Sequence, residues 1–180
     1  RNEQIDSLLE KVNLSSQKNK EVHTFSGGMR QRFGVAQALL GDPKIIIVDE
    51  PTAGLDPEER YRFNGLLSEI GTQRIVILST HLVEDVRNLC SQMAIIQNGK
   101  VLAQGKPNDF VTELKGRIWQ KQIQKEQLEQ YKTNFNIIAS HYFGGHLNIQ
   151  VLSETFLSDF ELVNPTLVEV YFKTLNQVGL

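Results

Sequence analysis

Phe25-Ser-Gly-Gly-Met-Arg-Gln-Arg32 and, after a short gap, Lys44-Ile-Ile-Ile-Val-Asp-Glu-Pro-Thr-Ala-Gly-Leu-Asp-Pro57 are the two stretches from which the fold can be read. In the second, Ile45, Ile46, Ile47 and Val48 form a continuous β-branched run. That pattern predicts an inner parallel strand covered on both faces. A run this short also suits a buried helix segment, but the β-branching and the proline at each end favour the strand. Asp49 and Glu50 then leave the strand at its carboxyl end, where open α/β sheets place their ligands. Successive strand residues point to opposite sides, so the two carboxyl groups are expected to have different tasks.

An apolar strand ending in Asp is a usual means of holding Mg²⁺ in nucleotide hydrolases, and Asp49 is the candidate metal ligand. Glu50, next to it, is placed to orient or deprotonate an attacking water. The plainer alternative is that both acids solvate a strand end and cap the following turn. The first stretch bears on that choice. Ser26-Gly27-Gly28 precedes Met29, Phe33, Ala36 and Leu40, an apolar stripe at helical spacing. Ser26 is a candidate N-cap, and the glycines leave the first-turn N–H groups sterically open. Open N–H groups backed by a helix dipole make an anion site.

Together these stretches resemble the nucleotide-binding domain of ATP-binding cassette (ABC) transporters. Phe25 to Arg32 resembles the family signature motif, with Phe25 in place of the more common Leu. Ile45 to Glu50 resembles the Walker B strand with its catalytic glutamate. Ala53-Gly54-Leu55-Asp56 resembles the D-loop, and Ser79-Thr80-His81 the switch-histidine loop. The four motifs stand in family order and at family spacing.

The rest of the composition sets limits. The chain has 180 residues, enough for a real core, with 40% hydrophobic and 22% charged content. Nineteen basic residues against 21 acidic give a formal charge of -2, with no basic bias toward nucleic acid. The one cysteine, Cys90, excludes an internal disulfide framework and Cys-rich zinc sites, and its apolar setting predicts packing. No run of 18 apolar residues and no secretory leader is read, so composition points to a cytosolic or peripheral protein.

Ile5, Leu8, Leu9 and Val12 predict a first helix, matching the last helix of the family's helical subdomain ahead of the signature motif. No G-x-x-x-x-G-K-[ST] string occurs in the sequence. The expectation drawn from this is a C-terminal part of an export-type subunit, lacking the half that carries the P-loop, and inactive by itself. Its strands at Ile45–Val48 and Ile75–Leu78 would then show apolar faces.

Downstream, Pro57 opens a helix through Tyr61, Leu66, Leu67 and Ile70, with Gly71 expected as its C′ residue. Ile75 to Leu78 is the next buried strand, and His81 follows at its carboxyl end. Met93 to Ile96 and Lys100 to Gly105 form a hairpin around Asn98-Gly99, a type I′ signal. Pro107 to Leu114 reads as a short helix. After Gly116 the pattern alternates: strands are expected around Ile118-Trp119 and Ile123, over Phe135, Ile137 and Ile138, and over Leu147, Ile149 and Val151, with a turn at Gly144-Gly145. Pro165 to Leu175 predicts a terminal helix. Its string Asn-Pro-Thr-Leu-Val-Glu-Val-Tyr-Phe resembles a segment closing export-type ABC ATPases. His141 and His146 around the turn lack a visible third ligand and make a poor metal site.

The expected architecture is α/β: a P-loop NTPase (RecA-like/ABC) core with part of the helical signature subdomain, followed by a small α+β appendix. Residues 1–43 are assigned to the helical subdomain, 44–116 to the core and 117–180 to the accessory domain. The resemblance implies ATP and Mg²⁺, a second cassette as homo- or heterodimer partner, and an integral membrane permease at the cytoplasmic face. It implies Glu50 and His81 as catalytic residues and Asp49 as metal ligand. Ser26, Gly27 and Gly28 would complete the partner cassette's site, and Gly54 and Asp56 would carry information across the dimer. Gln37 stands where family members often have Arg. Two other readings stand beside it: a soluble ABC ATPase without a permease, which a charged insertion or second cassette would support, neither of which this sequence shows, and a catalytically silent interaction fragment, which is compatible with an export ATPase as the parent protein.

Overall fold

The first helix, α1 (Asn2–Lys11), turns Leu9 inward and is followed by buried Val12 and Leu14. Asn13 stops it by taking a left-handed backbone (φ 55°), a conformation Asn tolerates better than most residues. The protein is seen here as a computed structural model, which describes residues 2–176. Helix α2 (Gly27–Ala38) starts where expected: Ser26 is extended and its Oγ accepts from the Met29 N–H at 3.2 Å. Phe25 is buried and meets Phe33 edge-on at 5.9 Å between centroids. The larger ring in the Leu position is therefore used in packing.

The buried face of α2 is not quite the predicted stripe. Val35, Ala36 and Leu39 are buried together with Arg32, while Leu40 is exposed and Met29 and Phe33 only half-buried. A cation with a carboxylate partner can turn inward, and that rotates the inner face away from the purely apolar one.

Strands β1 (Ile45–Asp49) and β2 (Ile75–Ser79) pair in parallel, Ile45 opposite Ile75 and Asp49 opposite Ser79. The crossover is helix α3 (Pro57–Gly71), which buries Phe63, Leu66, Leu67 and Ile70 in one core with Ile46 and the inner faces of α1 and α2. The expectation that both faces of these strands are covered is corrected here. Ile46 is 4% exposed, but its neighbour Ile47 is 75% exposed, and Ile45, Ile75 and Ile77 share that open face. Strand alternation sends odd and even residues to opposite sides, and only one side faces α3. Asp56 caps α3, accepting from the Glu59 N–H at 2.8 Å, with Pro57 in the first turn. Gly71 is the last helical residue and not a left-handed C′; Thr72 follows with φ -68° and no glycine is needed. Helix α4 (Val83–Leu89) closes this unit, Arg1–Leu89.

The second unit, Cys90–Leu180, has its own core. Its hairpin of β3 (Met93–Gln97) and β4 (Lys100–Gly105) turns at Asn98 and Gly99, both left-handed as a type I′ turn requires (φ 49° and 73°). Helix α5 (Pro107–Glu113) follows. A four-stranded antiparallel sheet is then built from β5 (Ile118–Ile123), β6 (Ile137–Phe143), β7 (His146–Leu152) and β8 (Glu161–Leu162), in the order β6-β7-β5-β8. Helix α6 (Leu128–Asn134) fills the gap between two expected strands, where no element was assigned. Phe135 ends it and stacks on Tyr131 at 5.6 Å rather than starting a strand. The terminal helix is α7 (Leu167–Asn176), opened by Thr166, whose N–H and hydroxyl both donate to Glu169 Oε2. The boundary expected at Gly116 falls inside this second unit.

Candidate functional site

Because β1 and β2 are parallel and in register, their carboxyl ends leave the sheet side by side. Ser79 Oγ donates to Asp49 Oδ1 across the strand ends. The chain then turns at Glu50, whose backbone is left-handed (φ 46°) while its N–H donates to the Ser79 carbonyl at 2.9 Å. For a residue other than glycine that conformation costs about 1–2 kcal/mol, and such residues cluster at functional sites. The turn brings Glu50 Oε2 within 2.8 Å of His81 Nδ1. Residues 31 positions apart in sequence thus make a direct contact, and both remain open to solvent.

The structure brings Asp49, Glu50 and His81 to one edge. It uses the other predicted residues differently within the chain. Ser26 and Asp56 are helix caps, and Gly54 is left-handed (φ 73°) in the loop between Glu50 and α3. No hydrogen bond or ion pair among the described residues joins Ser26, Gly27 or Gly28 to Asp49, Glu50 or His81. Helix α2 is tied instead to the loop and to α3. Gln31 Nε2 donates to the Ala53 carbonyl at 3.1 Å, and Arg32 Nη2 lies 3.4 Å from Glu59 Oε2. Gly28 sits so close to Glu59 that an added Cβ would be 2.6 Å from Oε2.

Sequence reasoning passed over Thr52 and Asp85. Both are fully buried, and Thr52 Oγ1 donates to Asp85 Oδ2. An acid in the first turn of a helix usually reads as a complement to the helix dipole, so its pattern gives no sign of burial. The Arg32–Glu59 pair was missed for a similar reason, since both look like ordinary surface charges.

The donors suit a hard divalent cation bound together with phosphate. Asp49 and Glu50 offer carboxyl oxygens and Ser79 a hydroxyl, while among the described residues no group of three or more His, Cys, Asp and Glu could hold a metal alone. Mg²⁺ characteristically takes one or two carboxylates and completes its shell with water and substrate phosphates. The residues therefore fit Mg²⁺. Among the described residues no helix is long and apolar enough to cross a membrane.

The fold has counterparts among solved structures. The protein cbiO1 from Clostridium perfringens, described as part of the ABC transporter complex cbiONQ, superposes with a TM-score of 0.58 at 28% identity, over 73% of this chain and 49% of that one. The ATP-binding cassette MJ1267 in its ADP conformation gives 0.57 at 24% identity, over 62% of this chain and 44% of that one. The fold is the RecA-like ATP-binding cassette core. A family model described as ABC transporter matches residues 1–53, a span that takes in the signature helix and the Asp49-Glu50 strand end of the cassette.

Among curated proteins, the Nod factor export ATP-binding protein I of Rhizobium etli is 39% identical over 62% of this chain and 36% of its own length. The ABC transporter ATP-binding protein YxlF of Bacillus subtilis is 35% identical over 71% of this chain and 43% of its own. The chain is thus similar to ABC ATPase subunits, and it spans about a third of the first curated relatives, 33–36% of their length. One expectation is corrected by these matches. The sequence motifs predict a C-terminal remainder, defined by a missing P-loop half. The family model takes in the chain from residue 1, and relatives align over 59–76% of it. The description as a remainder is therefore withdrawn.

Proposed function

We propose that this chain belongs to the ATP-hydrolysing subunit of an ABC transporter that powers export through a membrane permease, working at the cytoplasmic face of the membrane. The observation that carries the reading is the 2.8 Å contact of Glu50 with His81, beside Asp49, at the carboxyl ends of adjacent parallel strands. Export is favoured by the similarity to proteins whose own name is Nod factor export ATP-binding protein.

In this reading Asp49 would hold Mg²⁺, directly or through water, and Ser79 keeps its carboxyl group oriented. When bound, Mg²⁺ supplies charge neutralisation for the β- and γ-phosphates of ATP. Glu50 orients a water for attack on the γ-phosphorus and accepts its proton as the bond to the bridging oxygen breaks, releasing ADP and phosphate. His81 holds Glu50 in place in the resting state through Nδ1 and contacts the γ-phosphate side when substrate is present. Ser26, Gly27 and Gly28 present a helix start, whose first N–H groups lack intrahelical acceptors, to the nucleotide of a second cassette. Gly54 and Asp56 lie on the loop that would meet that partner.

The test is Glu50→Gln in the full protein. ATP and Mg²⁺ binding should persist while steady-state hydrolysis falls at least about a hundredfold, since a base is removed and the binding groups stay. Hydrolysis within twofold of the unaltered protein refutes the role of Glu50.

A further inference from the structure

We propose that Asp85 and Thr52 are a positioning pair that locks the turn carrying Glu50 to the turn carrying His81, and so sets the contact between those two groups. The proposal rests on the reading of Glu50 and His81 given above. Its basis is a single buried carboxyl group with donors from three directions. Thr52 Oγ1 donates to Asp85 Oδ2, and Thr80 Oγ1 donates to the same oxygen at 3.4 Å. Asn64 Nδ2, from α3, donates to Oδ1 at 3.5 Å. Thr80 Oγ1 also accepts from the Leu82 N–H at 3.0 Å, which folds the backbone around His81.

Thr52 stands two residues after Glu50, and Thr80 immediately precedes His81. Apart from the Glu50–His81 and Ser79–Asp49 contacts themselves, these hydroxyls on Asp85 are the only side-chain link between the two turns among the described residues. Glu50 and His81 are both open to solvent, so packing does not hold them. Their relative position is inherited from the backbones of the turns. Burying a carboxyl group is costly unless it is hydrogen-bonded, and a seven-residue helix such as α4 does not need one to pack. A Leu in place of Asp85 would serve a core alone. Reaction rate, by contrast, is sensitive to displacements of about 1 Å between reacting groups. The buried acid is thus explained by placement of the two turns.

The experiment is hydrogen–deuterium exchange, read by mass spectrometry on the full chain, together with ATP hydrolysis by the full protein. Thr52→Val keeps the shape and removes the hydroxyl. We expect about tenfold faster exchange at the amides of Glu50 and residues 52–55 and also at 80–82, the factor that loss of one buried hydrogen bond allows. Amides 63–70 of α3 should not change. In hydrolysis, kcat should fall about tenfold with KM for ATP unchanged, and Thr52→Ser should restore both readouts. Should Thr52→Val not fold, Thr80→Val removes the longer of the two hydroxyl bonds to Asp85 and, with it, the acceptor of the Leu82 N–H, so coupling is read at the far turn, where exchange at Glu50 and residues 52–55 should rise about threefold.

Faster exchange in only one turn, or equally throughout residues 2–89, overturns the proposal. If Glu50→Gln silences hydrolysis but the turns are uncoupled, the positioning pair alone is refuted. If the turns are coupled but Glu50→Gln leaves hydrolysis intact, the reading of Glu50 is refuted, and the role given to the pair in placing reacting groups falls with it.

Discussion

At Gly28 the need for glycine comes from a neighbour, not from the backbone. The residue is helical, and its Cα faces the Glu59 carboxyl group, where a Cβ would come within 2.6 Å of Oε2 and 3.1 Å of Cδ. Glu59 can rotate away, but doing so breaks its ion pair with Arg32, which is itself buried. Gly34, on the same helix, is exposed, and a Cβ added there would meet nothing within 4 Å. The two glycines should therefore respond with opposite signs. Gly34→Ala should stabilise by about 0.5–1 kcal/mol through helix propensity. Gly28→Ala gains the same propensity but strands Arg32 and should be destabilising by about 1 kcal/mol net. Denaturant midpoints of the two variants check this; equal shifts would show that Glu59 and Arg32 contribute nothing to the site of Gly28.

At the scale of an element, α3 is the clearest case of a segment written plainly in sequence. Asp56 before Pro57, with Glu58 and Glu59 in the first turn, marks its start, and the structure shows Asp56 capping the Glu59 N–H. Asp56→Ala should cost about 1 kcal/mol, within the roughly 0.5–2 kcal/mol range of such caps, whereas Asp56→Asn should cost only a few tenths. Thermal unfolding followed by circular dichroism gives the comparison. An equal loss in both variants would mean that the charge of Asp56, and not its cap, carries the stability.

Other elements were less legible, for identifiable reasons. The strands at Ile45–Val48 and Ile75–Leu78 were readable because β-branched runs flanked by turn residues have few other uses, although their pairing with each other and their open face were not. Helix α6 was not, although Leu128, Tyr131 and Phe135 stand at helical spacing, because Phe135 also alternates with Ile137 and was read with the strand that follows. The inner face of α2 was misread by one position, since apolar counting treats Arg32 as outward. In the site, the strand-end groups Asp49, Glu50 and His81 followed from chain order and sheet geometry. The Thr52–Asp85 pair did not, because nothing in a single sequence tells a buried acid from a helix-dipole acid; only the packing of two turns and α3 around it does.

At the scale of the whole molecule, the open face of the parallel pair has the widest consequence. Ile45, Ile47, Ile75 and Ile77 lie on it, while Ile46 lies against the core. Adjacent isoleucines on one strand should therefore differ sharply in this chain. Ile46→Ala should cost about 2–5 kcal/mol, and Ile47→Ala about 0.5 kcal/mol or less. Chemical unfolding of the two variants measures the contrast, and a comparable loss at Ile47 would mean that the face is covered in solution. The same face bears on calorimetry. Side chains already hydrated in the native state add little to the heat-capacity increment of unfolding, which tracks apolar surface newly wetted. Any body that comes to cover these isoleucines must then reveal itself by a negative heat capacity of association, whatever the sign of its enthalpy at one temperature.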